Sequence, residues 1–354
     1  MLFKTLLLTI IYFLFQACNS ADDKRNSALH AEIDDILITF HHAEAQDSKE
    51  RMIAGSVEID EILNLSEEAD IFRPSSIAYS GDTVVFYDYG KHVFTAIDTS
   101  TGNIISLEAR GRGPGEFINP VDIKVHNEKL FIADSNIGKI SVLSPDLTLE
   151  TDIQLDFLPH RFVVSDEGFI AMNNTFDGEG LFVRMDESGQ SQGTFEPGIT
   201  NPAAGFYVQG IITQSHGIMY YASIGLGLLK KYDAGGHLIW SRESIDDFEI
   251  TPMHLSSEGD GMSSIRMHPD RIYKITGMFV YEDQIYALHS GKKGRATQFI
   301  DTYKTESGEY VETWKSDLPL FSIAVNQQGD IAALYYDEKE EIRLGLLELD
   351  KNNK

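Results

Sequence analysis

The chain has 354 residues, of which 42% are hydrophobic and 24% are charged, and its formal net charge is -26. The hydrophobic fraction is that of a globular protein with a large core, which excludes a largely disordered chain. The negative charge repels phosphate groups and therefore argues against nucleic-acid binding, although an acidic surface also serves simply to keep a β protein soluble.

The N-terminus carries the features of an export signal. Lys4 precedes an apolar run that ends at Phe15, which is too short to span a membrane as a helix but matches a signal-peptide core. Cys18 is the only cysteine, so no intramolecular disulfide can form. Ala17 and Cys18 resemble a bacterial lipoprotein signal, although the two residues before Ala17 depart from its usual pattern. The resemblance implies a signal peptide over residues 1–17 and lipidation of Cys18, with several acyl chains holding the protein on a membrane.

Residues 18–54 are predicted to form a polar tether. The acidic stretch after Cys18 resembles that of lipoproteins carried to an outer membrane. We therefore expect an exported protein, lipid-anchored to the cell envelope at the outer membrane, and the sequence leaves the periplasmic or surface face open. Apolar residues at helical spacing predict a short amphipathic helix within the tether; they are Leu29, Ile33, Ile36, Leu37 and Phe40.

From Val57 almost to the C-terminus, short runs of alternating or β-branched residues are separated by turn residues, which indicates an all-β fold. The clearest unit predicts four antiparallel strands, at residues 121–125, 129–133, 139–143 and 148–155. Such a unit is one blade of a β-propeller. Similar units start near residues 76, 161, 208, 273 and 320, and most spacings match the roughly 40 to 50 residues of blade-type repeats. We therefore predict a six-bladed β-propeller of four-stranded antiparallel blades over residues 55–350.

The last unit is one strand short. The segment 55–65 precedes the first full unit and has the apolar pattern of a strand. Pairing this N-terminal strand with the C-terminal blade would close the ring and remove two exposed sheet edges.

One stretch carries a family resemblance. The motif G-R-G-P-G-E-F at residues 111–117 is followed by Pro120 and by the run L-F-I-A-D at residues 130–134. In these residues the chain resembles six-bladed β-propeller lipoproteins related to the NHL-repeat family. The full motif occurs once, so the resemblance implies the fold more than a function.

The glycine-rich motif has two interpretations. Its three glycines suit an anion cradle, but the helix that phosphate-binding loops require is missing. The favoured interpretation is a junction between blades, in which Glu116 accepts backbone hydrogen bonds and Phe117 packs between blades.

Catalytic and metal motifs are incomplete. The G-x-S-x-G match at residues 189–193 lies in a polar turn, without the strand-to-helix elbow of a nucleophilic serine. Residues 173–178 resemble the start of a calcium loop, but Arg184 stands where a glutamate ligand is needed. The insertion 245–270 is rich in carboxylates and histidines and is either a solvated acidic loop or a metal-binding lid. The sequence predicts no cofactor, and calcium remains the alternative.

The propeller register predicts one functional face. The turns between second and third strands and the connections between blades emerge there, and mixed Arg, carboxylate, Asn and Tyr side chains suit a polar ligand. The alternative is that these residues form turns and inter-blade hydrogen bonds. The candidate ligand-binding residues are Arg73, Asp88, Tyr89, Arg112, Glu116, Asp134, Asn136, His160, Arg161, Asn173, Tyr207 and His289.

Two functions are consistent with these patterns. The first is a non-catalytic, envelope-anchored lipoprotein with a monomeric propeller that binds an envelope protein or a polar small molecule. The second is a metal-dependent lactonase- or lyase-like enzyme acting at the central channel, which rests on fold analogy alone. The sequence does not identify the ligand.

Overall fold

A computed structural model describes residues 43–75, 77–175, 178–200, 205, 207–246, 253–258, 262–267, 273–289 and 297–351. This part of the chain consists mainly of strands, with a short helix α1 (Leu65–Glu68) and helical residues at 205, 207 and 208, which confirms the all-β prediction. The predicted signal peptide, Cys18 and the predicted tether helix lie outside the described residues. No helix within the described ranges is long and apolar enough to cross a membrane.

Four consecutive units each form a four-stranded antiparallel sheet. The second sheet matches the strands predicted at residues 121–155 to within two residues, because alternating apolar residues and turn residues mark its strands clearly. The strands are, in sheet 1, β2 (Ala78–Ser80), β3 (Thr83–Asp88), β4 (Val93–Asp98) and β5 (Ile104–Glu108); in sheet 2, β6 (Pro120–His126), β7 (Lys129–Asp134), β8 (Lys139–Leu143) and β9 (Leu149–Gln154); in sheet 3, β10 (Pro159–Ser165), β11 (Gly168–Asn173), β12 (Phe182–Met185) and β13 (Ser191–Phe195); and in sheet 4, β14 (Gly210–Ser215), β15 (Ile218–Ser223), β16 (Leu228–Tyr232) and β17 (Leu238–Glu243).

The remaining strands form a seven-stranded sheet and a hairpin. In the hairpin, β18 pairs with β19 within the insertion 245–270, where the sequence predicted a loop or a lid and no strands. Short polar strands lack the apolar alternation that marks the other strands. The strands are β1 (Ile53–Asn64), β18 (Met253–Glu258), β19 (Met262–Met267), β20 (Ile275–Tyr281), β21 (Gln284–His289), β22 (Thr297–Lys304), β23 (Tyr310–Val325), β24 (Ile331–Tyr336) and β25 (Ile342–Lys351).

The N-terminal strand pairs with the C-terminal strands, as the sequence predicts. β1 runs antiparallel to β25, with Val57 opposite Leu349, and parallel to the middle of β23, with Gly55 opposite Trp314. β23 is 16 residues long and pairs with β22 through its first half and with β24 through its second half. One continuous strand therefore joins two sets of strands into a single sheet.

Apolar side chains fill the space between successive sheets. Phe94 of sheet 1 and Ile132 of sheet 2 belong to one buried cluster, and corresponding clusters join each sheet to the next along the chain. A further cluster packs Phe86 of sheet 1 against Leu334 and Leu344 of β24 and β25. Because the last strands pack against the first sheet, the sheets close into the ring of a propeller.

Residues 44–52, at the end of the predicted tether, lie against the outer strands; we call this segment the strap. Its Glu44 amide donates to the Ser241 carbonyl of β17 (2.9 Å). The Gln46 side-chain amide donates to the Glu243 carbonyl (2.8 Å) and the Gly308 carbonyl (3.0 Å). The strap therefore joins sheet 4 to the seven-stranded sheet before the chain enters β1.

Candidate functional site

A cavity of about 550 Å³ lies at the centre of the ring. It is lined by residues of β2, β6, β10, β14, β20 and β23, at the C-terminal ends of these inner strands. Pockets of about 300–1,000 Å³ are typical of small-molecule sites. Its walls combine apolar residues such as Ile123 and Phe279 with polar residues such as His216, Glu282 and Asn326. Apolar walls with a few polar groups can hold and orient an organic ligand.

Polar side chains link the inner strands on one side of this cavity. Lys124 Nζ donates to the Ile212 carbonyl of β14 at 3.0 Å. The Gln214 side-chain amide donates to the Val164 carbonyl of β10, and the Arg161 guanidinium donates to the Val121 carbonyl of β6. These side chains donate hydrogen bonds to carbonyl groups of neighbouring inner strands, which lie in other sheets. The bonds hold β6, β10 and β14 in a fixed arrangement.

The glycine-rich motif forms the junction between sheets 1 and 2. Glu116 Oε2 accepts the Gly113 amide at 2.7 Å, and a Cβ at Gly111 would lie 1.9 Å from that oxygen. Gly115 has φ +69°, a conformation that favours glycine. Phe117 is fully buried against Phe94. The carboxylate thus fills the space that a bound anion would need, which agrees with the junction interpretation.

Two predicted ligand-binding carboxylates organise the backbone. Asp88 is buried and accepts the amides of Phe72 (3.2 Å), Arg73 (2.9 Å) and Gly90 (2.7 Å). Asp134 occupies the same place in sheet 2 and also accepts backbone amides from the junction before its inner strand and from the following turn. Both side chains therefore satisfy amides that no strand pairs.

The other predicted residues also lie near the N-terminal ends of the inner strands. Tyr89 Oη donates to the Pro120 carbonyl at 2.5 Å, and Tyr207 is buried with its carbonyl accepting Ser223 Oγ at 2.8 Å. None of the twelve lines the cavity, which opens toward the opposite ends of these strands. Of those remaining, Arg73, Arg112 and Asn136 are exposed, and His160 and Asn173 are half-buried.

A second group of polar residues is buried between sheet 4 and β21 and β22. His289 and Asp301 are fully buried and Asp246 is 9% exposed. One nitrogen or oxygen atom from each lies within 4.8 Å of the others, a spacing that could hold a metal ion. His289 Nε2 contacts Asp246 Oδ2. Imidazole nitrogen with carboxylate oxygen suits transition metals, whereas calcium prefers oxygen ligands alone.

Arg51 of the strap binds both carboxylates of this group. Its Nη1 and Nη2 donate to Asp246 at 2.6 Å each, and its Nε and Nη2 donate to Asp301 at 2.9 Å each. Burial favours the neutral carboxyl of Asp246, but hydrogen bonds and charge from His289 and Arg51 outweigh it and hold the pKa below its ordinary value. Burial lowers the pKa of Arg51, but hydrogen bonds and charge from Asp301 and Asp246 raise it by more. The pKa therefore lies above its ordinary value, and the guanidinium stays charged.

Sequence reasoning predicted only part of this group. It selected His289 as a residue of an accessible ligand-binding face, although the side chain is buried. It included Asp246 only as one of several acids of the insertion. Arg51 and Asp301 lie 250 positions apart and belong to no motif. Only the ring closure that brings the strap to β22 places them together.

Comparisons with known proteins show the fold. No family model matches the chain, and no curated protein matches its sequence. Among solved structures, a Bacteroides fragilis protein described as exported has 10% identity and a TM-score of 0.55, covering 87% of this chain and 99% of that chain. A luciferin-regenerating enzyme has 12% identity and a TM-score of 0.51, covering 82% and 95%. A virginiamycin B lyase from Staphylococcus aureus has 12% identity and a TM-score of 0.50, covering 83% and 100%. At these identities the likeness concerns the fold alone, and with the ring of antiparallel sheets it identifies the chain as a β-propeller protein.

Proposed function

We propose that this protein is an envelope-anchored lipoprotein whose propeller binds a polar ligand in the central cavity without transforming it. The observation that carries the proposal is the cavity of about 550 Å³ enclosed by the six inner strands. Its mixed lining offers hydrogen-bonding groups around an apolar wall, which suits a small molecule or a short segment of a partner protein.

The proposal includes six blades. In this interpretation the seven-stranded sheet contains two of them. The first consists of β20, β21, β22 and the first half of β23. The second consists of the rest of β23, β24, β25 and β1, so that the N-terminal strand supplies the outer strand of the last blade.

The placement of the metal-type group favours binding over metal-dependent catalysis. Within the described residues, the Asp246, His289 and Asp301 group is the one whose spacing could hold a metal, and it does not line the cavity. Its members are nearly or fully buried. A substrate in the cavity would not reach a metal ion held there, so a lactonase-like reaction would need ligands from another part of the chain.

Fragment binding tests the cavity. A library of sugars, amino acids and dipeptides is screened by thermal shift, and hits are titrated by calorimetry. Thr213→Trp places a large ring among the lining residues, whereas Arg112→Ala alters the exposed face that the sequence predicted. Hits lost with Thr213→Trp and kept with Arg112→Ala support the cavity. Hits that behave in the opposite way, or that survive both changes, refute it.

The lipid anchor has its own test. Cys18→Ser removes the only thiol that lipidation could use. We expect the wild-type protein in the outer-membrane fraction and the variant in the soluble fraction, because a mature protein that has lost its signal peptide and carries no acyl chains has no apolar segment to hold it on a membrane. A variant that still sediments with membranes contradicts the anchor and leaves the cavity proposal untouched.

A further inference from the structure

The group around His289 is a departure from the repeat. In sheets 1 and 2, the last residue of the second strand is Asp88 or Asp134. Asp88 lies opposite Pro74, in the connection before β2, and Asp134 lies opposite Pro120, the first residue of β6. Each of these carboxylates accepts backbone amides. The equivalent residue opposite Ile275 in β20 is His289. An imidazole thus replaces the residue that organises the junction in the first two sheets.

A second position of the same strands also departs. Two residues before His289, Ala287 pairs with Asp301. The residues that stand in place of Asp301 in sheets 1, 2 and 3 are Thr95, Ser141 and Val183, and in sheet 4 the place is taken by Lys230, which pairs with Glu196. Asp301 and His289 therefore occupy two adjacent buried positions. In the first three sheets these positions hold uncharged side chains or carboxylates that accept backbone amides.

Such a group is costly for the fold. Buried charges lose solvation and are tolerated only when they are paired. Sheets 1, 2 and 3 form the same architecture without it, so the β-propeller fold does not demand these residues. The cation that pairs with the two carboxylates, Arg51, belongs to the strap and not to a sheet. The strap could therefore leave the group without unfolding a sheet, and the three remaining side chains would then be available as metal ligands.

We propose that Asp246, His289 and Asp301 form a transition-metal site for which Arg51 is the built-in competitor. Metal–ligand bonds of about 2.0–2.2 Å separate neighbouring ligand atoms by roughly 3.4 Å in tetrahedral geometry. The ligand atoms here lie within 4.8 Å of one another, so small side-chain movements bring them to one ion. Zinc, cobalt and manganese accept this mixed nitrogen and oxygen set.

Metal binding and strap docking are therefore coupled. A metal ion and the Arg51 guanidinium need the same oxygens of Asp246 and Asp301, so one excludes the other. By linkage, a metal that displaces Arg51 weakens the docking of the strap to the same degree that the docked strap weakens metal binding. The fraction of molecules with a docked strap would then decrease as the metal concentration rises, and the strap is continuous with the predicted tether. This inference is independent of the ligand in the cavity.

Cobalt binding tests the site. The full chain, purified in detergent and freed of metal, is titrated with Co²⁺ alone and followed by visible absorption and calorimetry. Arg51→Leu removes the competitor, and we expect 1:1 binding at least about tenfold tighter than in the wild type. His289→Asn in the same background removes the nitrogen ligand, and we expect affinity to fall at least about tenfold. Arg343→Leu is the matched control, because Arg343 also binds several carboxylates, and we expect no change.

The coupling is measured in the wild-type protein. Lys49 and Arg51 of the strap are trypsin sites, and we expect Zn²⁺, but not Mg²⁺, to accelerate cleavage after them. This measurement decides the question if the Arg51→Leu variant does not fold. The proposal is overturned if folded Arg51→Leu protein binds no stoichiometric Co²⁺, if binding is unaffected by His289→Asn, or if Zn²⁺ leaves wild-type cleavage unchanged.

Discussion

Replacing Asp134 by alanine tests whether this predicted ligand-binding residue is structural. The carboxylate is fully buried and accepts four backbone amides, those of Ile118 (2.6 Å), Asn119 (3.1 Å), Asn136 (2.8 Å) and Ile137 (3.2 Å). Alanine keeps the strand but provides no acceptor. All four amides then have to find water or remain without a hydrogen bond.

The structure sets the size of the effect. A buried donor left without an acceptor costs about 1–3 kcal/mol. Asn136 is exposed and the other three donors are half-buried, so water can reach some of them. If about half of the donors remain unsatisfied, the free energy of unfolding falls by about 4 kcal/mol. For a domain of this size that corresponds to a decrease of about 6 °C in melting temperature.

Calorimetry and thermal denaturation followed by circular dichroism measure this decrease. Asp134→Asn keeps one acceptor oxygen in the same place, so we expect about half of the effect. Asp156→Ala is the control, because Asp156 is exposed and its loss should change the melting temperature by less than about 1 °C. A decrease below about 2 °C for Asp134→Ala would refute the structural role and return Asp134 to the candidate ligand-binding residues.

Three further predictions concern the junction, the acid range and the ring closure. Gly115→Ala should lower the melting temperature more than Gly102→Ala, because both glycines have positive φ but a Cβ meets neighbouring atoms only at Gly115; equal decreases contradict this. Burial favours the neutral Asp152 carboxyl, but hydrogen bonds from Ser141, the Gly115 amide and a lysine outweigh it and lower its pKa. The ionised group therefore stabilises the fold above the ordinary carboxyl pKa of about 3.9, and this contribution is lost as pH falls through the lower folded pKa. We expect Asp152→Asn to flatten the acid decline of the melting temperature, and an unchanged decline speaks against it. Deleting residues 55–65 removes the strand that pairs with β25 and should lower the melting temperature sharply; an unaltered melting curve rules out ring closure by β1.

The strands could be predicted wherever a local pattern specifies them. In sheet 2, the apolar alternation of residues 121–125 and the turn residues after it depend only on neighbours in the chain, and the structure has strands there. The pairing of β1 with β25 was also predictable, because the C-terminal unit lacked its fourth strand and the segment 55–65 was an additional strand before the first complete unit. The hairpin β18–β19 was not, because its strands have little apolar alternation to mark them.

Sites were harder to predict than strands. The prediction of one functional face placed Asp88 and Asp134 among the ligand-binding residues. In the sequence, a polar residue at a turn has the same pattern whether it binds a ligand or a backbone amide. The cavity lies at the other ends of the inner strands. Its position depends on how six strands converge, and no local pattern describes that convergence.

The sequence by itself determined the all-β class, the repeat of four antiparallel strands and the closing N-terminal strand, because each depends on local periodicity or on the order of units. Tertiary structure alone decided that Arg51 meets Asp246 and Asp301, and that His289 contacts Asp246. These groups are far apart in the chain, and their meeting depends on ring closure and on the strap. Buried polar groups are specified by their partners in space, whereas strands are specified by their neighbours in sequence.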